Sequence, residues 1–460
     1  MVRQHLRFFG FAAFAGLALR LLFFFRFPSV TDDSLVYGDI AQNWLRYRIY
    51  GLTELGKVVP TCLRLPGYPT FLAAVFSIFG VGHYRAALLL QIPVDMASCF
   101  LIADLARRVV SPRAAKAAFL LAALCPFLAN YSAAALSETW EILFTVLAFD
   151  FAVAGLKELA SRAMLPWVGC GLAVAAAILL RPDGGLLLIT LALWLSLLLY
   201  RSCSAKTTTG SYSERYLLRA GLVVAFLALA PLVPWTVRNL RTLHEFQPLA
   251  PRYASEPGEF VPLGFNRWVR TWIVDYVSVE EIYWSVPGQA VDTAKLPSRA
   301  FDSAEQREQT QRLLADYNQT LHMTPALDAR FEILAEERIH AAPVRYYLRL
   351  PLMRIADMWL RPRTELLPSD TRWWEFNDEP RWSALAVVLG VLGVCYLGAA
   401  LAGLVRVRRN RPVGLLISFV VLRSAFLGSL ENPEPRYVLE CYPVIIVLAA
   451  VMFGNQERSS

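Results

Sequence analysis

The sequence predicts an all-α polytopic membrane protein, and three observations lead there. Apolar residues make up 56% of the 460-residue chain and charged residues only 18%, against about 45–50% and about 25% in soluble domains. The mean hydropathy is +0.43. The apolar excess is gathered in runs of about 20 residues, the length that crosses a bilayer as a helix. Those runs lie near 6–27, 84–106, 114–133, 138–156, 165–181, 184–200, 217–237, 382–405, 412–430 and 437–454. The expected architecture is therefore a bundle of about ten transmembrane helices, with one short interfacial segment and one outer (periplasmic) domain.

The first run has the basic start of a signal peptide (Arg3, Arg7). It is too long for one, contains Arg20, and ends in Phe-Arg-Phe-Pro with no small-residue cleavage site, so it reads as an uncleaved first helix. The next apolar run, Tyr68 to Gly82, has only 15 residues and follows Pro66-Gly67. If it spanned, every later loop would change side. The positive-inside rule decides. With 68–82 at the interface and a cytoplasmic N-terminus, the inner segments are 1–7, 107–116, 157–163, 201–219, 406–411 and 454–460. They hold 17 Lys and Arg against three acids. The alternative exposes Arg107-Arg108 and the Arg406–Arg411 cluster on the outside. The net charge of +8 thus records orientation in a cytoplasmic (inner) membrane and calls for no nucleic acid partner.

The outer face collects the loop 28–83, the junction at Glu138, the Arg181–Gly184 turn, the segment 238–381 and the loop Glu431–Arg436. Segment 238–381 carries 18 basic and 21 acidic residues and is too long for a simple connection. It reads as a small folded domain with helices over 304–321 and 328–340. At its end Leu348, Leu352, Ile355 and Trp359 recur at helical spacing among Arg345, Arg349 and Arg354, the pattern of a helix lying on the membrane surface. Three parts result: an N-terminal transmembrane module 1–237, the outer domain 238–381 and a C-terminal transmembrane module 382–460.

Several outer motifs carry chemistry-bearing side chains, and each also has a plain structural reading. Asp32, Asp33 and Asp39 fall within eight residues directly after the first span. Thr31-Asp-Asp is a good helix start, while Asp33 and Tyr37, four apart, share a helix face. A carboxylate at the membrane surface is also a natural general base. Arg64-Leu-Pro-Gly-Tyr68-Pro turns the chain into the membrane and offers Arg64, with Lys57, as cations for a lipid phosphate. Glu138 caps the fourth span, Arg181 snorkels or binds, and Glu434-Pro-Arg436-Tyr437 opens the last span. Within spans stand Arg20, Asp95, Asp104, Glu141, Asp150 and Arg423, either functional or paired between helices. Seven cysteines without C-x-x-C and five scattered histidines give no support to a disulfide framework or to classical zinc chemistry. Nucleotide-binding glycine motifs are also missing.

Individually weak, these motifs occur in a telling order: the acidic pair, Tyr37-Gly-Asp-Ile-Ala, Arg64-Leu-Pro-Gly-Tyr-Pro, Leu136-Ser-Glu, Leu179-Leu-Arg-Pro-Asp-Gly, Pro234-Trp-x-x-Arg-Asn239 and Pro435-Arg-Tyr. The series resembles the GT-C superfamily of membrane glycosyltransferases. It is most similar to bacterial protein O-mannosyltransferases and the aminoarabinose transferases of lipid A. The resemblance implies sugar transfer, with inversion, from a polyprenyl-phosphate donor to a hydroxyl on a protein, lipid or glycan, outside the cytoplasmic membrane. It implies Asp33 as the catalytic acid of the first loop, with Asp32 the close rival, and Glu138 as the second acid. Asp39 matches the acid two residues after the tyrosine. Tyr37, Tyr68 and Arg181 join Arg64, Arg436 and Tyr437 as substrate-binding candidates, the last three toward the donor phosphate. Many relatives keep a lysine directly before the proline, where this chain has Leu65, so the phosphate ligand stays open between Arg64 and Lys57. No cofactor is assigned, and a divalent metal (Mg, Mn or Zn) on Asp33 and Glu138 stays open.

Two other classes compete. A transporter or flippase of lipid-linked glycans predicts internal repeats and midplane binding groups rather than acids gathered outside. A glycan polymerase or ligase shares the donor but usually lacks an acidic pair directly after the first helix.

Overall fold

The computed structural model describes residues 5–157, 163–204, 214–377, 379–407 and 411–454. Parts of the inner segments counted above, with Arg3, Arg162, Lys206, Arg408, Arg409 and Arg458, lie outside the described residues. The chain divides into two compact units. One comprises Met1–Pro257, Cys395–Val420 and Leu439–Ser460, the other Gly258–Val394 and Val421–Val438.

Among the described residues, seven helices are long and apolar enough to cross a membrane: Leu6–Arg26, Tyr84–Val109, Glu138–Lys157, Pro182–Cys203, Glu214–Thr242, Pro380–Val407 and Pro435–Phe453. Three shorter apolar helices, Gly67–Phe79, Leu165–Leu180 and Pro412–Gly428, accompany them. This is a multi-pass, predominantly helical membrane protein. Its described strands form one two-stranded hairpin.

In the first unit the order is α1 (Leu6–Arg26), α2 (Asp32–Tyr47), the hairpin β1 (Gly51–Glu54) and β2 (Lys57–Pro60), α3 (Gly67–Phe79) and α4 (Tyr84–Val109). Then follow α5 (Pro112–Ala123), α6 (Pro126–Tyr131), α7 (Glu138–Lys157), α8 (Leu165–Leu180), α9 (Gly185–Ser204), α10 (Glu214–Leu229) and α11 (Leu232–Thr242). The run at 114–133, expected as one span, is two helices that part at Leu124-Cys125. Pro126 fits the first position of α6, where its missing N–H and fixed φ do no harm, but it would break a helix interior. The run 68–82 forms the 13-residue α3, too short to cross by itself at 1.5 Å per residue.

Helices close in where side chains are small. Ala114, Ala115, Ala118, Ala122 and Ala123 of α5 are all buried. A Cβ on Gly16 of α1 would stand 2.9 Å from the Ala123 Cβ, so this contact needs glycine. Lipid tails supply no hydrophobic drive for helix association, and such close van der Waals packing takes its place. The outward side of α1 shows Phe11, Phe14 and Phe25.

The ionisable residues inside these helices are paired. Arg20, fully buried, donates from Nε to Asp95 Oδ2 at 2.6 Å and from Nη1 to Gly16 O at 3.0 Å, and it also bonds the carbonyl of Ala123. Asp104 bridges Arg107 and Arg108 at 2.7 and 2.8 Å, and Arg108 reaches Asp150 at 2.9 Å. The Arg20–Asp95 pair ties α1 to α4 and the Arg108–Asp150 pair ties α4 to α7, the interhelical reading of Arg20, Asp95 and Asp150, whereas Asp104 pairs within α4.

The second unit packs helices Leu263–Arg270, Ala304–Thr320 and Pro325–Ala341 around Phe265, Trp268, Trp272, Tyr317 and Phe331. Asp328 accepts from the amides of Gly264 at 3.0 Å and Phe265 at 2.8 Å, capping the first helix with a carboxylate. Residues 345–360 are helical, as the spacing predicts, but Arg354 does not lie on a polar face. It is buried and donates to Ile273 O at 2.8 Å and Gly428 O at 3.2 Å. Burial without a carboxylate in hydrogen-bond contact lowers its pKa to about 10.

Removing one member of a buried ion pair strands the other charge and typically costs about 3–5 kcal/mol, whereas replacing both by apolar residues is often close to neutral. Arg20→Leu should therefore lower the melting temperature in detergent sharply. The double variant Arg20→Leu/Asp95→Leu should recover most of the loss, and additive losses would contradict the pairing.

Candidate active site

After α1, Ser29 makes a parallel bridge to Ala134. Its N–H donates to Ala133 O at 2.9 Å, and its carbonyl accepts from Ala135 N at 3.0 Å. Asp33 follows Ser29 by four residues and Glu138 follows Ala134 by four, so one bridge registers the starts of α2 and α7. The Thr31 amide donates to Ser34 Oγ at 3.0 Å, closing the N-terminus of α2. Asp32 and Asp33 occupy the first turn, where the helix dipole favours anions. Asp32 is exposed. Asp33 is half-buried and accepts from Arg64 Nη2 at 2.6 Å.

The hairpin pairs Gly51 with Pro60 through Glu54 with Lys57. Asp39 holds it to α2, accepting from the Thr53 amide at 2.6 Å and the Thr53 hydroxyl at 2.9 Å. Asn43 adds bonds to Gly51 O and Thr53 Oγ1, each 3.0 Å. Asp39 is thus an anchor of the hairpin. Lys57 lies exposed beside the hairpin tip, opposite Glu54. Of the two cations considered for a phosphate, Arg64 is the one brought to Asp33.

Arg64 stacks over the Tyr37 ring, 5.6 Å from its centroid. Its Nε is buried and without a hydrogen-bond partner. An orphaned buried donor on a guanidinium is uncommon and asks for an acceptor. Below it, a Cβ on Gly67 would lie 2.6 Å from Leu179 O. Only glycine lets the Arg64–Tyr68 turn seat on the end of α8. Tyr68 is buried edge-to-face against Tyr37 at 5.0 Å, and its hydroxyl donates to Gln91 Oε1 at 2.8 Å. Gln91 in turn donates to Ala134 O at 2.7 Å, so Tyr68 braces Tyr37 against the same strand segment that carries the bridge.

Glu138 and Glu141 are buried in the first turn of α7. Arg181, just past α8, lies 3.6 Å from Glu138 Oε1, 3.8 Å from Glu141 Oε1 and 3.4 Å from Asp183 Oδ1. It is a counter-ion to three carboxylates rather than a snorkelling side chain. Tyr37 joins the two groups electrostatically. Burial pushes its hydroxyl up to about 12, with Arg64 and Arg181 pulling it down and Asp33 and Glu138 pushing it up. At neutral pH it is a proton-bearing donor between two acid–arginine pairs. Asp33 and Glu138 are each met by an arginine, and among the described residues no three His, Cys, Asp or Glu converge as metal ligands. As arranged, this donor set fits an anionic ligand better than a divalent cation.

In the second unit Arg436 and Tyr437 converge on Glu434. Arg436 Nε lies 2.6 Å from Glu434 Oε2 and the guanidinium covers the Tyr437 ring at 5.4 Å. The Tyr437 hydroxyl donates to Glu434, as does Asn432 Nδ2 at 2.8 Å. Glu365 is a residue that sequence reasoning missed. Both its carboxylate oxygens are closed off from solvent with no hydrogen-bond partner outside the residue. Burial raises it from 4.5 to about 7, against the pull of Arg363 and Arg361. Its loop has no spacing or motif that singles it out.

Residues 61–235 match the family model described as dolichyl-phosphate-mannose-protein mannosyltransferase. The match takes in Arg64, Tyr68, Glu138 and Arg181 but not Asp33. No curated protein matches the chain in sequence. Among solved structures, the oligosaccharyltransferase AglB from Archaeoglobus fulgidus, in complex with an inhibitory peptide and a dolichol-phosphate, is 13% identical with a TM-score of 0.51. The alignment covers 97% of this chain and 50% of that one. The same enzyme tethered to an acceptor peptide containing the NVT sequon gives 0.52 at 13% identity, over 97% and 49%. ArnT from Cupriavidus metallidurans bound to undecaprenyl phosphate is 15% identical, over 98% and 78%, with a TM-score of 0.43. This chain spans about half the length of the AglB structures. The chain shares its fold with AglB.

The raised Glu365 gives a pH signature. Between about 4.5 and about 7 the folded chain holds a proton that the unfolded chain has lost, so this stabilisation is full below 4.5 and is lost as pH rises through 7. Glu365→Gln should melt at a temperature that gains on wild type between pH 5 and pH 8. A pH-independent difference would refute the raised pKa.

Proposed function

We propose that this chain is an inverting glycosyltransferase that moves a sugar from a polyprenyl-phosphate donor to a hydroxyl acceptor, on the outer face of the cytoplasmic membrane. The observation that carries the reading is the Asp33–Arg64 pair with its buried, unpartnered Arg64 Nε. A base and an anion donor stand in contact at the end of a membrane bundle. Support for the donor class comes from the family description over residues 61–235 and from the dolichol-phosphate named with AglB.

The acceptor oxygen attacks the anomeric carbon while the bond to the phosphate oxygen breaks, its electron pair leaving with the phosphate. The hydroxyl proton passes to Asp33. A positioned base of this kind contributes about 10²–10⁴-fold. The donor is a phosphodiester with one charge, and the leaving polyprenyl phosphate gains a second. Arg64 therefore binds the transition state more strongly than the donor, which is the condition for lowering a barrier. Tyr37, held protonated, donates to a sugar or phosphate oxygen. Glu138, with Arg181 as counter-ion, orients the acceptor. Single displacement needs one base and no enzyme nucleophile, so the product is inverted. Arg436 and Tyr437 are proposed as donor-binding residues of the second unit, and the acceptor is a protein, lipid or glycan hydroxyl.

Purified protein in nanodiscs, given radiolabelled polyprenyl-phosphate sugars and a mixed acceptor extract, should transfer label. Asp33→Asn should lower kcat by about 10²–10⁴-fold, Arg64→Ala should cut kcat and raise KM for the donor, and the exposed Asp32→Asn should stay within about threefold. Full transfer by Asp33→Asn, or equal losses at Asp32 and Asp33, would sink the assignment.

A further inference from the structure

Pro234-Trp-x-x-Arg-Asn239 has so far been given no role. In the structure it meets the hairpin. Arg238, in α11, donates from Nη2 to Tyr50 O at 2.5 Å and from Nη1 to Thr61 O at 2.7 Å. Tyr50 is the residue before β1 and Thr61 the residue after β2, and they are themselves joined by Thr61 N to Tyr50 O at 3.1 Å. One guanidinium thus clasps both ends of the hairpin. It lies over two aromatic faces, 5.3 Å from the Tyr50 ring centroid and 5.3 Å from that of Trp235, and the two rings meet edge-to-face at 5.1 Å.

The clasp is fixed from its far side as well. Arg238 Nη1 also bonds Asn239 Oδ1 at 2.9 Å, and Asn239, buried, donates to Gln247 O at 2.6 Å. On the near side, the Tyr50 hydroxyl donates to the carbonyl of Arg64 at 2.9 Å, and Leu63 N donates to Thr61 Oγ1 at 3.0 Å. The Thr61 hydroxyl in turn donates to Glu256. Arg238 therefore holds Tyr50, which bonds the backbone of Arg64, and Thr61, which bonds that of the preceding Leu63.

We propose that Arg238 is a positioning residue for transfer: through Tyr50 and Thr61 it fixes where the Arg64 guanidinium stands against Asp33. The proposal rests on the reading of Arg64 and Asp33 given above. Arginine is required. Its planar fork serves two carbonyls while its faces lie on two rings, and lysine's point charge cannot do both. Catalysis by a preorganised donor is sensitive to displacements near 1 Å, which cost about 10²-fold. A loosened clasp should therefore act on chemistry far more than on folding.

Two variants and two readouts test this. Arg238→Lys should insert and melt close to wild type yet lose at least tenfold in kcat. Tyr50→Phe, which removes only the hydroxyl on Arg64 O, should lose activity in the same sense. Their double variant should fall well short of the product of the two losses, because both act through one contact. Independently of activity, amide hydrogen exchange over residues 61–66 should quicken in Arg238→Lys while exchange in α4 and α7 stays unchanged. Unchanged exchange over 61–66, or wild-type kcat with Lys at 238, would overturn the proposal. Wild-type protein that transfers nothing while 61–66 still loosens would instead fault the functional reading and leave the clasp standing.

Discussion

The half-buried contact of Arg64 with Asp33 is the interaction on which the other features of the first unit converge. It is not there for stability. A partly exposed ion pair is worth about 0–1 kcal/mol, less than the entropy of ordering the side chains that make it. Its geometry must be imposed from outside. The Ser29–Ala134 bridge sets the start of α2, Asp39 and Asn43 fix the hairpin to that helix, and Gly67 seats the following turn on α8. Stability comes from elsewhere, from close apolar packing such as the alanine-rich contacts of α5. A geometry imposed from its surroundings is what the proposed electrostatic catalysis requires.

Much of the fold was legible because hydropathy and length report directly on lipid exposure. The runs at 6–27, 84–106 and 138–156 became α1, α4 and α7 with boundaries close to those read from the sequence. The run at 114–133 misled because a window average does not see one proline. Pro126 divides it, because proline suits the first position of a helix and not its interior. Arg354 misled for another reason. Its spacing among apolar residues suits a surface helix, but whether a long side chain faces water or three backbone carbonyls is decided by packing from residues about 80 positions away.

The site was legible as a set and not as a geometry. Asp33, Arg64, Glu138 and Arg181 were named from their order along the chain, and three of the four lie in the stretch that matches the mannosyltransferase family model. Their pairing did not follow from order. Asp33 and Glu138 each meet an arginine, which spacing along the chain does not show. Asp39 looked like a third site acid and turned out to bind a threonine of the hairpin, a contact 14 residues away that local spacing cannot reveal. Strand register sets Lys57 opposite Glu54 beside the hairpin tip, which spacing alone does not show. Glu365 was invisible because its distinction is the lack of a partner, which is a property of the folded surroundings alone.

The central claim is that Asp33 takes a proton and does not itself attack carbon. The configuration of the transferred sugar reports this directly. With an anomerically pure donor, proton NMR of the first-turnover product should show the opposite anomeric coupling from the donor, as one displacement assisted by a base requires. Retained configuration would mean two displacements and an enzyme-bound sugar, and would contradict the role given to Asp33 and the use made of Arg64.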